Sequence, residues 1–407
     1  MYNHPSQFEP LLPRDSQADH VLAMSHDLRT EAARLTGACQ NGVSQELARL
    51  LRSMNSYYSN KIEGEHTRPL EIEQALRLDF SADAEKARLQ RLAVAHIATE
   101  QWLYEQPVSL VEAYSAEFLC RIHRHLFGQL KDADRVVRLH DANGAVTEEM
   151  IVLPGEIRTR EVRVKNHVAP AAAALPAMLE RWSKVYGGVR RGELQIVAAA
   201  AAHHRLVWIH PFLDGNGRAS RLHSLAVLGA LELTGGLWSP LRGLARQAER
   251  YSERLGNADM ARMGDLDGRG QLSERMLLEW IEFFIGVCLD QVRFMSQMLN
   301  LREMQNRLGA LLAHEEHVVK RGLRMEALRP LHYLFATQGE ISRGDFASMT
   351  GLGERTATTL IGKLLDTGLL RSDSPRGQVR FGIPLDALRF LFPSLWPEAE
   401  ADAAAAR

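Results

Sequence analysis

Cysteine is scarce in this sequence: Cys39, Cys120 and Cys288 are the only 3 among 407 residues. They lie far apart within helical patterns and show no paired metal-ligand spacing. That excludes a disulfide framework and a cysteine-rich metal module, and it points to free thiols in a reducing compartment. Long apolar runs are missing too. No stretch reaches the roughly 20 apolar residues that a helix needs to cross a bilayer, and the polar, proline-bearing first 15 residues hold no signal-peptide core. A cytoplasmic protein without a membrane partner is expected. Charge of one sign is also absent, with 49 Lys and Arg against 50 Asp and Glu. A net charge of −1 gives no global attraction to nucleic acid or anionic lipid, so any such binding has to be local. What is present is ordinary globular composition, 45% hydrophobic and 24% charged, in a chain long enough for two or three domains.

One stretch concentrates the chemistry. Residues 210–221 place His210, Pro211, Phe212, Asp214, the turn Gly215-Asn216-Gly217, Arg218 and Arg221 within a dozen positions. Residues 193–209 before it read as a helix with an alanine-rich stripe, and helical spacing resumes after Asn216. The glycine turn therefore opens onto a helix N-terminus, whose free N–H groups and dipole favour an anion. Arg218 and Arg221, three apart, share one face and can reach that anion together. Asp214 would repel a bare phosphate, and it fits a hard divalent cation, Mg²⁺, held between carboxylate and phosphate oxygens. His210 at the rim is placed to take a proton from an incoming hydroxyl. Phe212 reads as the core anchor that pins the loop. Taken singly, each of these residues is ordinary helix-end or turn chemistry, and the joint order is what points to a phosphate site.

Residues 210–221 resemble the signature of the Fic (filamentation induced by cAMP) family, His-x-Phe-x-Asp/Glu-Gly-Asn-Gly-Arg-x-x-Arg, at every specified position. The resemblance implies an all-α core and transfer of AMP from ATP to a protein hydroxyl. It makes His210 the general base, Asp214 the Mg²⁺ ligand, Gly215, Asn216 and Gly217 the phosphate nest, and Arg218 and Arg221 the holders of the ATP phosphates. Upstream, Ser59-Asn60-Lys61-Ile62-Glu63-Gly64 resembles the inhibitory-helix pattern of the same family, Ser/Thr-x-x-x-Glu-Gly/Asn. By that resemblance Glu63, with Ser59, would pair with Arg221 and keep the resting enzyme weakly active, since an arginine neutralised by a carboxylate cannot hold a γ-phosphate.

Other stretches carry less. Turn signals at Asn143-Gly144 and Pro154-Gly155, with alternation over 155–168, mark the place where Fic proteins carry a β-hairpin flap. A target segment adding to that edge would present its hydroxyl to His210, and self-modification is a variant of the same docking. Tyr251 resembles the region used beside the adenine, although an aromatic at helical spacing is more often core. Asp265, Asp267, Gly268 and Gly270 read as a turn, with too few acidic positions for calcium.

From 328 onward the order helix, helix, tight turn, helix, strand, turn, strand resembles a winged helix-turn-helix. Its candidate recognition face holds Arg355, Thr356, Thr358, Thr359 and Lys363, with Arg376 at the wing tip. Over 340–382 cations and carboxylates nearly balance, which leaves DNA and a docking protein as rival partners. The expected organisation is a mainly α protein: N-terminal helices with the inhibitory helix (1–66), Fic core with a small hairpin (67–300), linker helix (301–327), winged helix-turn-helix (328–396) and an alanine-rich frayed tail (397–407). A homodimer through the N-terminal or bridging helices is compatible with the pattern, though no heptad fixes it. The rival functions are removal of AMP at the same site, a different phosphate-bearing donor, a nucleotide-switched transcriptional regulator, and a metal-dependent hydrolase using His203, His204 and His210. Adjacent histidines face different sides of a helix, which argues against the last.

Overall fold

The computed structural model describes residues 2–39, 45–140, 146–164 and 167–405. Its elements in chain order are α1 (Asp19–Ala38), α2 (Gln45–Ile62), α3 (Pro69–Ala75), α4 (Ala84–Glu105), α5 (Leu110–Ala113), α6 (Ala116–Gly128), β1 (Val136–His140), β2 (Val146–Ile151), β3 (Arg163–Val164), β4 (His167–Val168), α7 (Leu175–Gly187), α8 (Gly192–Ile209) and α9 (Asn216–Ala230). There follow α10 (Leu241–Arg246), α11 (Ala248–Ala258), α12 (Glu274–Met298), α13 (Leu301–His314), α14 (Leu328–Thr337), β5 (Glu340–Ile341), α15 (Arg343–Thr350), α16 (Glu354–Asp366), β6 (Leu370–Arg371), β7 (Val379–Phe381), α17 (Leu388–Leu391) and α18 (Pro397–Ala405). Among the described residues the protein is mainly helical with three small antiparallel sheets. Among the described residues no helix is long and apolar enough to cross a membrane.

The chain divides into two compact units. The larger joins Met1–Arg34, Asn55–Thr67 and Gln74–Val292; the second joins Leu35–Met54, Arg68–Glu73 and Arg293–Arg407. These units are discontinuous, unlike the consecutive blocks expected from the sequence, because α1, α2 and α12 each run past a unit boundary.

In the larger unit α8 is the central helix. Its run Ala198–Ala202 is buried, and the small side chains let neighbours approach closely enough for Trp280 Nε1 to donate to Ala200 O (2.7 Å) and Trp182 Nε1 to Ala202 O (3.1 Å). α5 and α6 are separate helices because the Ser115 hydroxyl accepts from Phe118 N and starts α6 afresh. α10 and α11 are likewise separated at Gln247, whose φ of −118° and ψ of 34° lie outside the helical region. The longer hairpin, β1 with β2, lies ahead of the expected flap and pairs Val136 with Ile151. Among the described residues of 155–168 the two-residue strands β3 and β4 pair, and the Asn143-Gly144 turn falls outside the described residues.

In the second unit α14, β5, α15, α16, β6 and β7 follow one another, and the strands form a sheet in the order β5-β7-β6. Ser342 caps α15 by accepting from Asp345 N, and Gly351, at φ 69°, ends it. Thr358 and Thr359 turn their hydroxyls back to Glu354 O and Arg355 O. Arg343 donates to Gly377 O at 3.2 Å, and Arg380 pairs with Asp373 (2.8 Å) and Glu340 (3.2 Å). The end of the chain differs from the frayed tail expected. Residues 397–405 form α18, with Trp396 and Ala399 buried, and Asp402 pairs with Arg68 and accepts from Leu70 N at 3.0 Å. A carboxylate at the start of α3 satisfies a free helix N–H, which holds the alanine-rich end in place.

Candidate active site

The loop between α8 and α9 is built by backbone geometry before any charge is considered. His210 closes α8, donating its N–H to Leu206 O, but turns left-handed at φ 52° and ψ 60°. For a non-glycine residue that conformation costs roughly 1–2 kcal/mol, and buried Arg158 holds it. Arg158 donates from Nε to His210 O (2.8 Å), from its backbone N to Pro211 O (2.9 Å), and from its other guanidinium nitrogens to Arg160 O and Pro170 O (2.7 Å each). Asn216 latches the loop shut: its Oδ1 accepts from Phe212 N and its Nδ2 donates to Phe212 O, both at 2.8 Å. The Asn216 side chain is therefore committed to the loop, and only its backbone N–H is left for a ligand. Phe212 is fully buried and stacks on His123 at 3.9 Å between ring centroids. His123 Nδ1 accepts from Gly155 N at 2.8 Å, which makes Nε2 the protonated nitrogen that donates to Asp214 O at 3.2 Å. Gly215 begins α9 at φ 75°, where a Cβ would collide with the Phe127 ring.

His210 is thereby presented as a base. Its Nδ1 lies 3.3 Å from Val207 O, a carbonyl that only accepts, so the ring proton sits on Nδ1 and the Nε2 lone pair is free. Burial, followed by the nearby charge of His167, pushes its pKa down to about 4, so the imidazole is neutral at physiological pH. His167 itself goes the other way. Burial would lower it, but the hydrogen bond and charge of Asp259, with Nδ1 to Oδ2 at 3.1 Å, raise it.

The start of α9 has no side-chain cap, so its first N–H groups stay available for an anion. Asp214 accepts from Gly215 N through Oδ1 at 2.6 Å and sets Oδ2 3.5 Å from Arg218, on a side chain 45% exposed. Among the described residues no group of three His, Cys, Asp or Glu is placed to hold a metal. One open carboxylate beside an anion nest is the donor set of a Mg²⁺ ion shared with substrate phosphates, not of an all-protein cage, and Asp214 fits that role.

Acidic side chains occupy both arginines. Arg221 donates to Ser59 Oγ (3.0 Å), Ser59 O (2.9 Å) and Glu63 Oε1 (2.7 Å). Burial alone would raise the Glu63 carboxyl, but the charges of Arg221 and Arg218 and the Arg221 hydrogen bond outweigh it and hold the pKa below its ordinary value. The carboxylate fills the space over Gly217, where a Cβ would collide with Glu63 Oε1. Arg218 NH1 donates to Glu65 Oε2 at 2.9 Å. Tyr251 is buried at the back of this site, where its side chain hydrogen-bonds with Arg221. It is 3% exposed, its hydroxyl meets His203 Nε2 at 2.9 Å, and its ring packs near Trp280.

His203 and His204 diverge as their adjacency predicts. His203 meets Ser224 and Tyr251, whereas His204 Nε2 meets Asp259 at 3.1 Å. Asp267 accepts from Met263 N and Arg275 N at 2.9 Å each, the work of a turn and a helix start.

Buried histidines make this unit acid-labile. Burial first, helped by nearby arginines, lowers His96 to about 3 and His123 to about 4, and burial lowers His223 to about 4. The unfolded chain takes up protons on these rings below about pH 6.5 while the folded chain does not, so stability falls with pH between roughly 6.5 and 4. The melting temperature is expected to fall by more than about 10 °C between pH 7 and 5; a flat profile in a thermal melt would contradict these placements.

Three residues of the site were not singled out from the sequence: Glu65, Arg158 and His123. The only local signal was the repeat Glu-Gly-Glu at 63–65, because Arg158 and His123 reach the loop through tertiary contacts alone.

Residues 113–228 match the model of the Fic/DOC family. The protein adenylyltransferase Fic of Drosophila yakuba is 44% identical over 69 residues, 17% of this chain and 14% of that protein, and the Drosophila melanogaster protein is 42% identical over the same length. The chain thus matches only a small part of these relatives. Among solved structures, a Fic family protein from Desulfovibrio desulfuricans G20 is similar with a TM-score of 0.48 and 18% identity, over 88% of this chain and 95% of that one. Fic-1 (aa134 - 508) from C. elegans gives 0.46 and 19%, over 68% and 70%. The matched residues 113–228 carry the His210 loop and both arginines, and over that part the chain is distantly similar to Fic/DOC proteins and Fic adenylyltransferases.

Proposed function

We propose that this protein transfers AMP from ATP to a serine, threonine or tyrosine hydroxyl of a protein, and that Glu63 restrains the reaction. One arrangement carries the reading: a neutral base with a free Nε2, beside an uncapped helix N-terminus whose two arginines are held by carboxylates. In the reaction the target hydroxyl oxygen attacks the α-phosphorus while His210 Nε2 accepts its proton. The bond from the α-phosphorus to the oxygen bridging to the β-phosphate breaks, and pyrophosphate departs. Arg218, Arg221 and the first N–H groups of α9 hold the phosphates in line. Mg²⁺, held by Asp214, would neutralise phosphate charge. Glu63 excludes the γ-phosphate from Arg221 by charge and by volume. The hairpin region 155–168 is the proposed edge for the target segment.

The test is mass spectrometry of lysate proteins incubated with ATP, Mg²⁺ and the purified chain. Glu63→Gly is expected to add AMP to hydroxyl side chains, and Glu63→Gly/His210→Ala to add none. Loss of all modification from both, with ATP still bound, would overturn the reading.

A second reading rests on Glu63 Oε2. Oε1 takes Arg221, whereas Oε2 has no partner among the described residues, on a side chain 35% exposed. In that reading Oε2 orients a water that removes AMP from a modified protein. Replacing Glu63 separates the two, since transfer rises and removal disappears.

Arg158 is expected to act through His210. Arg158→Met lowers kcat about 10- to 100-fold with little change in the KM for ATP, because the base moves while the phosphate site stays. Equal loss of ATP affinity would contradict that role.

For 328–396 we propose a winged helix-turn-helix whose partner is a protein. Arg343 and Arg380 are engaged inside the unit, and on the candidate face Arg355, Lys363 and Arg376 are the cations left without partners among the described residues. Any DNA binding should therefore show a slope of log affinity against log salt no steeper than about −3. A steeper slope in a salt titration would favour the DNA reading and a transcriptional role.

A further inference from the structure

The turn that ends α2 places two carboxylates on the site, not one. Gly64 is left-handed at φ 75°, Gly64 N donates to Lys61 O (3.1 Å) and Glu65 N donates to Asn60 O (3.0 Å). This is a Schellman cap, and it folds the chain back so that the residues on either side of the glycine face the start of α9. Glu63 goes to Arg221 and Glu65 to Arg218. The two acids differ in one respect. Glu65 is bridged: its Oε2 meets Arg218 at 2.9 Å, while its Oε1 meets Arg88 of α4, also at 2.9 Å. Arg88 in turn holds Glu85 at 2.8 Å.

We propose that Glu65 is a second restraining residue, which competes with nucleotide phosphates for Arg218, and that Arg88 is the partner that takes Glu65 when Arg218 turns to the nucleotide. The proposal rests on the AMP-transfer reading of the site and adds a restraint on the other signature arginine. Arg218 is nearly buried and cannot serve two anions at full strength. With Arg88 beside it, Glu65 can give up Arg218 without becoming an unpaired, part-buried carboxylate. Arg88 therefore weakens the restraint, and removing it should tighten Glu65 on Arg218. Two substitutions on one ion pair then have opposite signs.

The experiment is calorimetric titration of Mg²⁺ and ATP into the full chain in the Glu63→Gly background, which clears Arg221. Glu65→Gln is expected to tighten ATP binding about tenfold, the scale of one charge-assisted hydrogen bond. Arg88→Met should weaken binding severalfold when Glu65 is present and have no effect once Glu65→Gln is made. Thermal melts of each variant establish that it is folded. Unchanged or weaker binding in Glu65→Gln would overturn the proposal. So would an Arg88→Met loss of equal size with and without Glu65, which would place Arg88 on the phosphates themselves. If Glu63→Gly and Glu63→Gly/Glu65→Gln are both folded and neither binds ATP, the nucleotide reading itself falls and the restraint with it.

Discussion

Glu63→Gly raises the initial rate of AMP transfer at subsaturating ATP by about 10- to 100-fold, the range expected for freeing an arginine from one charge-assisted bond. The substitution does two things at once. It frees the Arg221 guanidinium, now 2.7 Å from Glu63 Oε1, and it empties the volume above Gly217, where that carboxylate lies. Glu63→Gln separates the effects, since it keeps the volume and removes the charge, and its rate should fall between the two. The wild-type restraint should also persist through mild acid. Because its neighbours hold the Glu63 carboxyl below its ordinary pKa, the ion pair persists to lower pH than an unpaired glutamate would allow, and weakens only as pH falls below that range. Progress curves at several ATP concentrations and pH values check both points; a Glu63→Gly rate no higher than wild type would remove the restraint from the account.

His210→Ala, made in the Glu63→Gly chain, lowers kcat by about 10²- to 10⁴-fold and leaves ATP affinity nearly unchanged. In the proposed reaction the phosphates are held by Arg218, Arg221 and the start of α9, none of which depends on the imidazole. The pH profile adds an independent signature. With the His210 pKa near 4, the base keeps its lone pair from pH 8 down to about 5, so the acid limb of kcat/KM should lie near 4 and not near 6.5. Protonation below that point removes the lone pair, and the rate falls. A limb centred near 6.5 would mean that His210 is solvated in the free enzyme.

Much of the site was legible because it is local. A proline, a buried Phe212 and the turn Gly215-Asn216-Gly217 between two helical patterns fix a loop at a helix start whatever surrounds it, and Arg218 and Arg221 follow from helical spacing. Glu63 was legible through its motif, and Gly64 gives that motif a physical reason, because the left-handed turn aims the carboxylate. Glu65, Arg158 and His123 were not legible, since each acts across the fold: Arg158 and His210 are 52 positions apart, and His123 and Asp214 are 91 apart. Tyr251 shows the opposite problem. Its helical spacing is the same for a ligand contact and for a core position, and the sequence does not show that its side chain reaches both His203 and Arg221. The fold shows the same division. The helix before the loop, α8, was readable from its apolar, alanine-rich run, whereas the cap at Ser115, the break at Gln247 and the anchoring of α18 through Asp402 and Arg68 depend on side chains that such a pattern does not show. The compact units are discontinuous because long helices run from one unit into the next.

The measurement that bears most directly on the central claim compares ATP labelled at the α-phosphate with ATP labelled at the γ-phosphate, using the Glu63→Gly chain, Mg²⁺ and a protein mixture. AMP transfer predicts that α-label becomes covalently bound to protein while γ-label is released in pyrophosphate, and that His210→Ala abolishes the first. Protein labelled from the γ-position, or α-label that stays wholly in free nucleotide, would contradict it.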